Sequence, residues 1–131
     1  MRFDESNERE EPFGFGRLDV WQKAMAFARQ IYRATRSFPK EELFGLTSQL
    51  RRASVSVAAN IAEGTSRTSG RDQARFFEIS FGSLNEVATL LHIAVGEGML
   101  DKRCFTELRA KIADIGRMLS GLKRAALNWR S

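Results

Sequence analysis

Phe105, Leu108, Ile112, Ile115, Leu119, Leu122, Ala126 and Trp129 recur at steps of 3, 4, 3, 4, 3, 4 and 3. An apolar residue every 3.5 positions draws one stripe down an α-helix. It cannot be the face of a strand, whose side chains alternate with a period of 2. The stripe runs for about 36 Å, and only other helices of similar length can cover it. Asp101 stands before it as an N-cap. The spacing therefore predicts a fourth helix over residues 101–128.

Three more helical segments precede it. The first, 18–38, carries two adjacent seams. One is Leu18, Trp21, Met25, Ala28, Tyr32, Thr35; the other is Val20, Ala24, Phe27, Ile31, Ala34, Phe38. Pro39 breaks the register and restricts Phe38. The second helix is expected over 40–64, with Glu41 and Glu42 suiting its start and Gly64 terminating it in a left-handed conformation. The third covers 71–96, opened by a capping-box pair, Ser69 and Asp72. Its seam is Phe77, Leu84, Val87, Leu91 and Ala94. Gly82 within it costs ~1 kcal/mol against Ala, which calls for a close helix–helix approach. The expected fold is an all-α, antiparallel up-down-up-down four-helix bundle over residues 17–131. Residues 1–16 read as a disordered acidic arm, with Phe13 and Phe15 as anchors. Trp21, Tyr32 and Trp129 all fall on seams and are expected in the core.

Charge is unevenly placed in the 131 residues, whose net charge is +5. Asp4, Glu5, Glu8, Glu10 and Glu11 against Arg2 and Arg9 leave residues 1–11 at −3 and the rest at +8. A distinctly basic domain raises the expectation of a polyanionic partner. Cys104 is the single cysteine, so no intrachain disulfide forms. The acidic start is unlike a signal peptide, and no apolar run approaches the ~20 residues of a membrane span. A cytoplasmic protein without a membrane partner is expected.

The second helix holds an unusual stripe. Gln49, Arg52, Ser56, Asn60 and Glu63 fall within one arc of about 60°, beside Leu46, Leu50, Val57 and Ile61. A solvent face usually carries Lys and Glu rather than Ser and Asn flanked by Ala. The stripe reads as a hydrogen-bonding seam against a second copy of the chain, with Asn60 setting register. The competing reading is a solvated face. Glu63 sits near a helix C-terminus, where the dipole disfavours an anion, so a cation is expected beside it: Arg67, or an arginine of a neighbouring chain. Glu86 reads either as a partner of Arg51 or Arg52 or as a plain surface carboxylate.

Several residues together resemble a known family. Leu18-Asp-Val-Trp21-Gln22-Lys23-Ala24 is followed by Tyr32, Phe38-Pro39, Glu42 and Gly45-Leu46. Then come Gln49-Leu-Arg51-Arg52-Ala53-Ser-Val-Ser56, Asn60-Ile-Ala-Glu63-Gly64, Phe76 and Gly82-Ser83-Leu84-Asn85-Glu86. In order over residues 18–127, this pattern resembles the four-helix bundle proteins encoded inside 23S rRNA intervening sequences. It is also similar to the accessory variability proteins of diversity-generating retroelements. It departs at Val87-Ala88, where such proteins often carry a second acidic residue after Glu86. The resemblance implies a ring-shaped homopentamer. For the retroelement relatives it also implies a basic surface that binds nucleic acid and a reverse transcriptase as partner protein.

Basic residues gather in two places. Arg67, Arg71 and Arg75 surround the second connection. Lys102, Arg103, Arg109, Lys111, Arg117, Lys123, Arg124 and Arg130 decorate the fourth helix, against Asp101, Glu107 and Asp114. These are the candidate RNA- or DNA-binding residues, acting through phosphates, since no sequence-reading motif is present. The bland alternative is a solvated face on a structural or regulatory protein–protein interaction module. Catalysis has little support. His92 is the sole histidine and lies between Leu91 and Ile93. Cys104 has no histidine at working spacing, and no Glu-x-x-His pair or phosphate loop occurs. The expectation is a non-enzymatic protein with no catalytic residues, metal or cofactor.

Overall fold

The four periodic segments become four α-helices in the computed structural model, which describes residues 14–129. We number them α1 (Asp19–Thr35), α2 (Ser48–Thr65), α3 (Gly70–Gly96) and α4 (Lys102–Leu127). No strand occurs among the described residues. α2 packs on α1 and on α3, and α4 closes the bundle against α3 and α1. The core draws on every helix: Phe27 and Ile31, Leu50, Val57 and Ile61, Leu84 and Leu91, Ile115 and Leu119 are all fully buried. Each such side chain contributes ~1.5–3 kcal/mol on leaving water. α3 is long and apolar enough, by length and composition alone, to cross a bilayer. In the bundle its seam is core.

Residues 1–13, with Phe13 and most of the acidic arm, lie outside the described residues, as do Arg130 and Ser131. The fold reaches further toward the N-terminus than the expected boundary at 17. Gly14–Arg17 make a 3₁₀ turn, and Phe15 packs edge-on against Trp21 with ring centroids 5.1 Å apart.

The caps follow the sequence. Ser69 accepts a hydrogen bond from the Asp72 amide at 3.1 Å, and Asp101 accepts one from the Cys104 amide at 2.7 Å. At the end of α3, Gly98 takes φ +74°, with Gly98 N bonded to the Val95 carbonyl and Met99 N to the Ala94 carbonyl. That is the Schellman pattern, satisfying carbonyls the helix leaves open.

Several expectations are corrected. The helix expected over 40–64 is broken: a 3₁₀ turn at Lys40–Glu42 leads into a π turn at Leu43–Thr47, with Gly45 at φ −114°, ψ −113°. Only then does α2 begin. α1 stops at Thr35, and Phe38 folds back into the core. Gly64 is not a left-handed stop, since α2 runs through it to Thr65. Its lack of a side chain serves packing: a Cβ there would come within 2.6 Å of the Phe77 ring. Gly82 faces open space, so no close approach explains it within one chain. Trp129 is 46% exposed, because α4 ends at Leu127 before the seam brings it inward. Tyr32 is also exposed, its ring under the Arg51 guanidinium at 4.8 Å.

Gly70 marks where α3 starts against the end of α4. A Cβ on it would stand 1.9 Å from the Ala126 carbonyl oxygen. Gly70→Ala is expected to lose about 1–3 kcal/mol by overpacking. Gly82→Ala, with nothing to meet, is expected to gain about 0.5–1 kcal/mol. Urea unfolding of the two variants should move in opposite directions.

Candidate subunit seam and nucleic-acid interface

The polar stripe of α2 is set beside α3 by a close helix pair. Ser80 is fully buried on α3, and its hydroxyl donates to the Val57 carbonyl at 2.7 Å; Ser54 bonds the Arg51 carbonyl at 2.9 Å. Ser80 thus lets α2 and α3 approach without stranding its hydroxyl, while Ser54, on the other side of α2 from Ser56, is satisfied within its own helix. At the surface edge of the same contact, the hydroxyls of Ser56 and Ser83 share a hydrogen bond of 2.8 Å. The Asn60 amide donates to the Ser56 carbonyl at 2.9 Å and to its hydroxyl at 3.0 Å. Ser56 therefore pins α2 to α3 as well as lining the stripe, and Asn60 holds the Ser56 hydroxyl from within α2.

The ends of the stripe differ. Glu63 pairs with Arg67 at 3.2 Å, the cation expected beside this carboxylate. Gln49 and Arg52 are exposed and make no hydrogen bond or ion pair among the described residues. Together with Ser56, Ser83 and Glu86 they line an open groove of about 700 Å³ between α2 and α3. Glu86 forms no ion pair among the described residues. Arg51 turns the other way, bonding Thr35 Oγ1 at 2.9 Å. Val55 and Ala59, which the stripe did not include, are exposed beside it. Ile79 and Ile93 on α3 are exposed too, so the face mixes apolar and hydrogen-bonding groups.

The basic residues divide. Arg67 and Arg75 both lie against the Phe76 ring, 4.4 and 4.5 Å from its centroid. Arg75 also pairs with Asp72 at 3.0 Å. Both guanidiniums are occupied within the chain; Arg67, which reaches Glu63 on α2 and Phe76 on α3, locks the α2–α3 connection, while the contacts of Arg75 stay on α3. Arg71 beside them is exposed and unpaired among the described residues. On α4, Arg103 stands 3.9 Å from Glu107, Lys123 pairs with Glu78, and Arg117 pairs with Asp114 at 3.3 Å. Lys102, Arg109, Lys111 and Arg124 are exposed without an acidic partner among the described residues.

Helical spacing aligns four of these cations. Lys102, Arg109, Arg117 and Arg124 follow at steps of 7, 8 and 7 and share one face over ~33 Å. Lys111 projects to another side. The aligned face borders a groove of about 550 Å³ between α3 and α4, lined by Phe81, Asn85, Gly116, Arg117, Ser120 and Arg124. Phe81 is partly exposed there, opposite Gly116. Phe81 escaped the sequence reading and Asn85 entered it only within the family pattern, because their pairing with α4 is visible only across helices.

The remaining reactive groups are placed as follows. His92 stacks edge-on with Phe105, centroids 4.8 Å apart. No cluster of three or more His, Cys, Asp or Glu side chains with metal-binding geometry occurs among the described residues. Burial, then the charges of Asp101 and Glu107, push the Cys104 thiol pKa up. Asp114 joins α4 to α1 through Lys23 at 2.7 Å. The hydrogen bond from Lys23, with smaller help from Arg117, holds its carboxyl below the usual range. Its small stabilising effect is complete above the ordinary Asp pKa and is lost as pH falls through the lowered value.

An all-α bundle with two unlike grooves, one hydrogen-bonding and one basic, is the class this chain defines. Residues 16–121 match the family described as 23S rRNA-intervening sequence protein. The chain belongs to that family. A similar solved structure is that of a protein with unknown function from the S23 ribosomal protein family of Bacteroides thetaiotaomicron VPI-5482. It is 20% identical, with a TM-score of 0.72, over 79% of this chain and 97% of that one. That likeness concerns the fold. No curated protein matches the chain.

The raised thiol pKa has a direct readout. Alkylation of Cys104 by iodoacetamide at mildly alkaline pH should be slower in the native protein than in the urea-unfolded chain, because the thiolate is the nucleophile. An equal or faster native rate would contradict the shielding described here.

Proposed function

We propose that this protein is a non-enzymatic, self-assembling helical bundle that binds RNA or DNA through phosphate contacts on α4. The observation that carries the binding reading is the aligned run Lys102, Arg109, Arg117, Arg124 beside a groove with an exposed aromatic ring. Cations spaced along ~33 Å can follow a phosphate backbone, and an aromatic ring beside them offers a stacking surface for an unpaired base. Arg71 and Lys111 extend the positive field. Arg67 acts by holding the connection rather than by meeting phosphate, and Arg75 is engaged by Asp72 and Phe76 on its own helix.

Self-association rests on a second observation, the α2–α3 face with Gln49 and Arg52 unpartnered among the described residues and Val55, Ile79 and Ile93 exposed. The family resemblance favours a ring-shaped homopentamer, and the short connections favour the antiparallel up-down-up-down topology. A ring multiplies the α4 charge, which strengthens counterion-release binding. Binding to a partner protein without nucleic acid is the alternative reading of the same exposed face.

Fluorescence anisotropy with labelled single-stranded RNA and DNA tests the binding. Affinity should fall steeply with salt. Replacing Arg117 and Arg124 together by Ala should weaken it, and should flatten the log–log salt slope by about 0.7 for each phosphate no longer neutralised. Binding that is absent at low salt, or insensitive to loss of both arginines, would refute this reading.

A further inference from the structure

The turn before α2 holds a large apolar side chain in water. Pro39 ends the α1 extension, and the chain makes the 3₁₀ and π turns of Lys40–Thr47. Glu42 caps this turn, accepting a hydrogen bond from the Leu46 amide at 3.2 Å. Leu46 and Thr47 are buried and anchor the segment. Gly45 gives the non-helical step between them and the preceding turn. The result is that Phe44 projects with 94% of its surface exposed, next to a half-exposed Leu43. The turn is anchored at both ends, so this exposure belongs to a built conformation. A phenyl ring held away from its own core is a docking group.

A matching recess lies elsewhere on the molecule. Trp21, Met25, Ala28 and Tyr32 of α1, with Val55 and Ala59 of α2, line an open groove of about 310 Å³ whose walls are almost entirely carbon. On α2 it sits ~10–16 Å along the axis from Ser48, at Val55 and Ala59. Phe44 of the same chain does not line it. The recess shares Tyr32, Val55 and Ala59 with the hydrogen-bonding groove.

Charge is complementary between the two features. Glu41 and Glu42 precede Phe44 in the same turn. Arg29 lines the recess, and Arg52 stands on the adjoining groove, exposed and without an acidic partner among the described residues. We infer that Phe44 of one copy inserts into the Trp21–Tyr32–Val55 recess of a second copy, with Glu41 approaching Arg52. Each copy gives one ring and receives one. Such a head-to-tail contact propagates around a ring and never pairs a surface with itself. This inference rests on the self-association proposed above and names how it is built.

Sedimentation velocity on three proteins tests it: the unaltered chain, Phe44→Glu and Ala59→Arg. Both substitutions fall on exposed positions, and circular dichroism checks that helicity is kept. The unaltered chain should sediment as an oligomer and each variant as a monomer. An equimolar mixture of the variants should form a dimer, since one pairing keeps an intact ring and an intact recess. An unaltered oligomer in Phe44→Glu, or a mixture that stays monomeric, overturns the ring-in-recess contact while leaving self-association standing. A monomeric unaltered chain overturns both.

Discussion

The contact on which the structure turns is the close approach of α2 to α3. It is made by residues too small to hold helices apart: Gly64 on one side, Ser80 on the other. The Ser80 hydroxyl is satisfied by the Val57 carbonyl, and Gly64 admits the Phe77 ring. A buried hydroxyl without that partner would cost ~1–3 kcal/mol, and a side chain on residue 64 would push the helices apart. Because the approach is close, the outer residues Ser56 and Ser83 meet at hydrogen-bonding distance. The polar stripe of α2 is thus one edge of a shared α2–α3 surface.

That surface and the α3–α4 groove lie on neighbouring sides of one helix. α3 contributes to both, with Ser83 and Glu86 lining the first groove and Phe81 and Asn85 the second. A helix that feeds two surfaces on neighbouring faces couples them through one rigid element. In the proposed function, the first surface joins copies and the second meets phosphate. Arg67 and Arg75 belong to neither. Arg67, laid on Phe76 and paired with Glu63, closes the connection that keeps the two helices in register, and Arg75 packs on Phe76 and Asp72 within α3.

Much of the fold is legible in the sequence, and the reason is periodicity. The 3–4 spacing of α1 and α4 marks their buried faces, and Ser69 and Asp101 mark two helix starts. Glu63 near a helix end requires a cation, and Arg67 supplies it. What stays hidden depends on placement across helices. Gly64 reads as a stop in one dimension, and the approach of Phe76 and Phe77 across the helix pair explains it. Gly45 carries a kink that no propensity distinguishes from continued helix. Trp129 fits the heptad yet emerges into solvent, because the helix ends before it. Phe44 gives no signal in the sequence and is the most exposed large apolar side chain among the described residues. Asn60 reads in one dimension as a group acting between chains, and within the chain its amide already serves Ser56.

The central claim is that the α2–α3 face meets a sister subunit instead of water. Native mass spectrometry of the full chain, at micromolar concentration and across a dilution series, tests it most directly. The expected mass is a whole multiple of 14.8 kDa, fivefold for the proposed ring, falling apart only on dilution. A single species of 14.8 kDa at every concentration would contradict it.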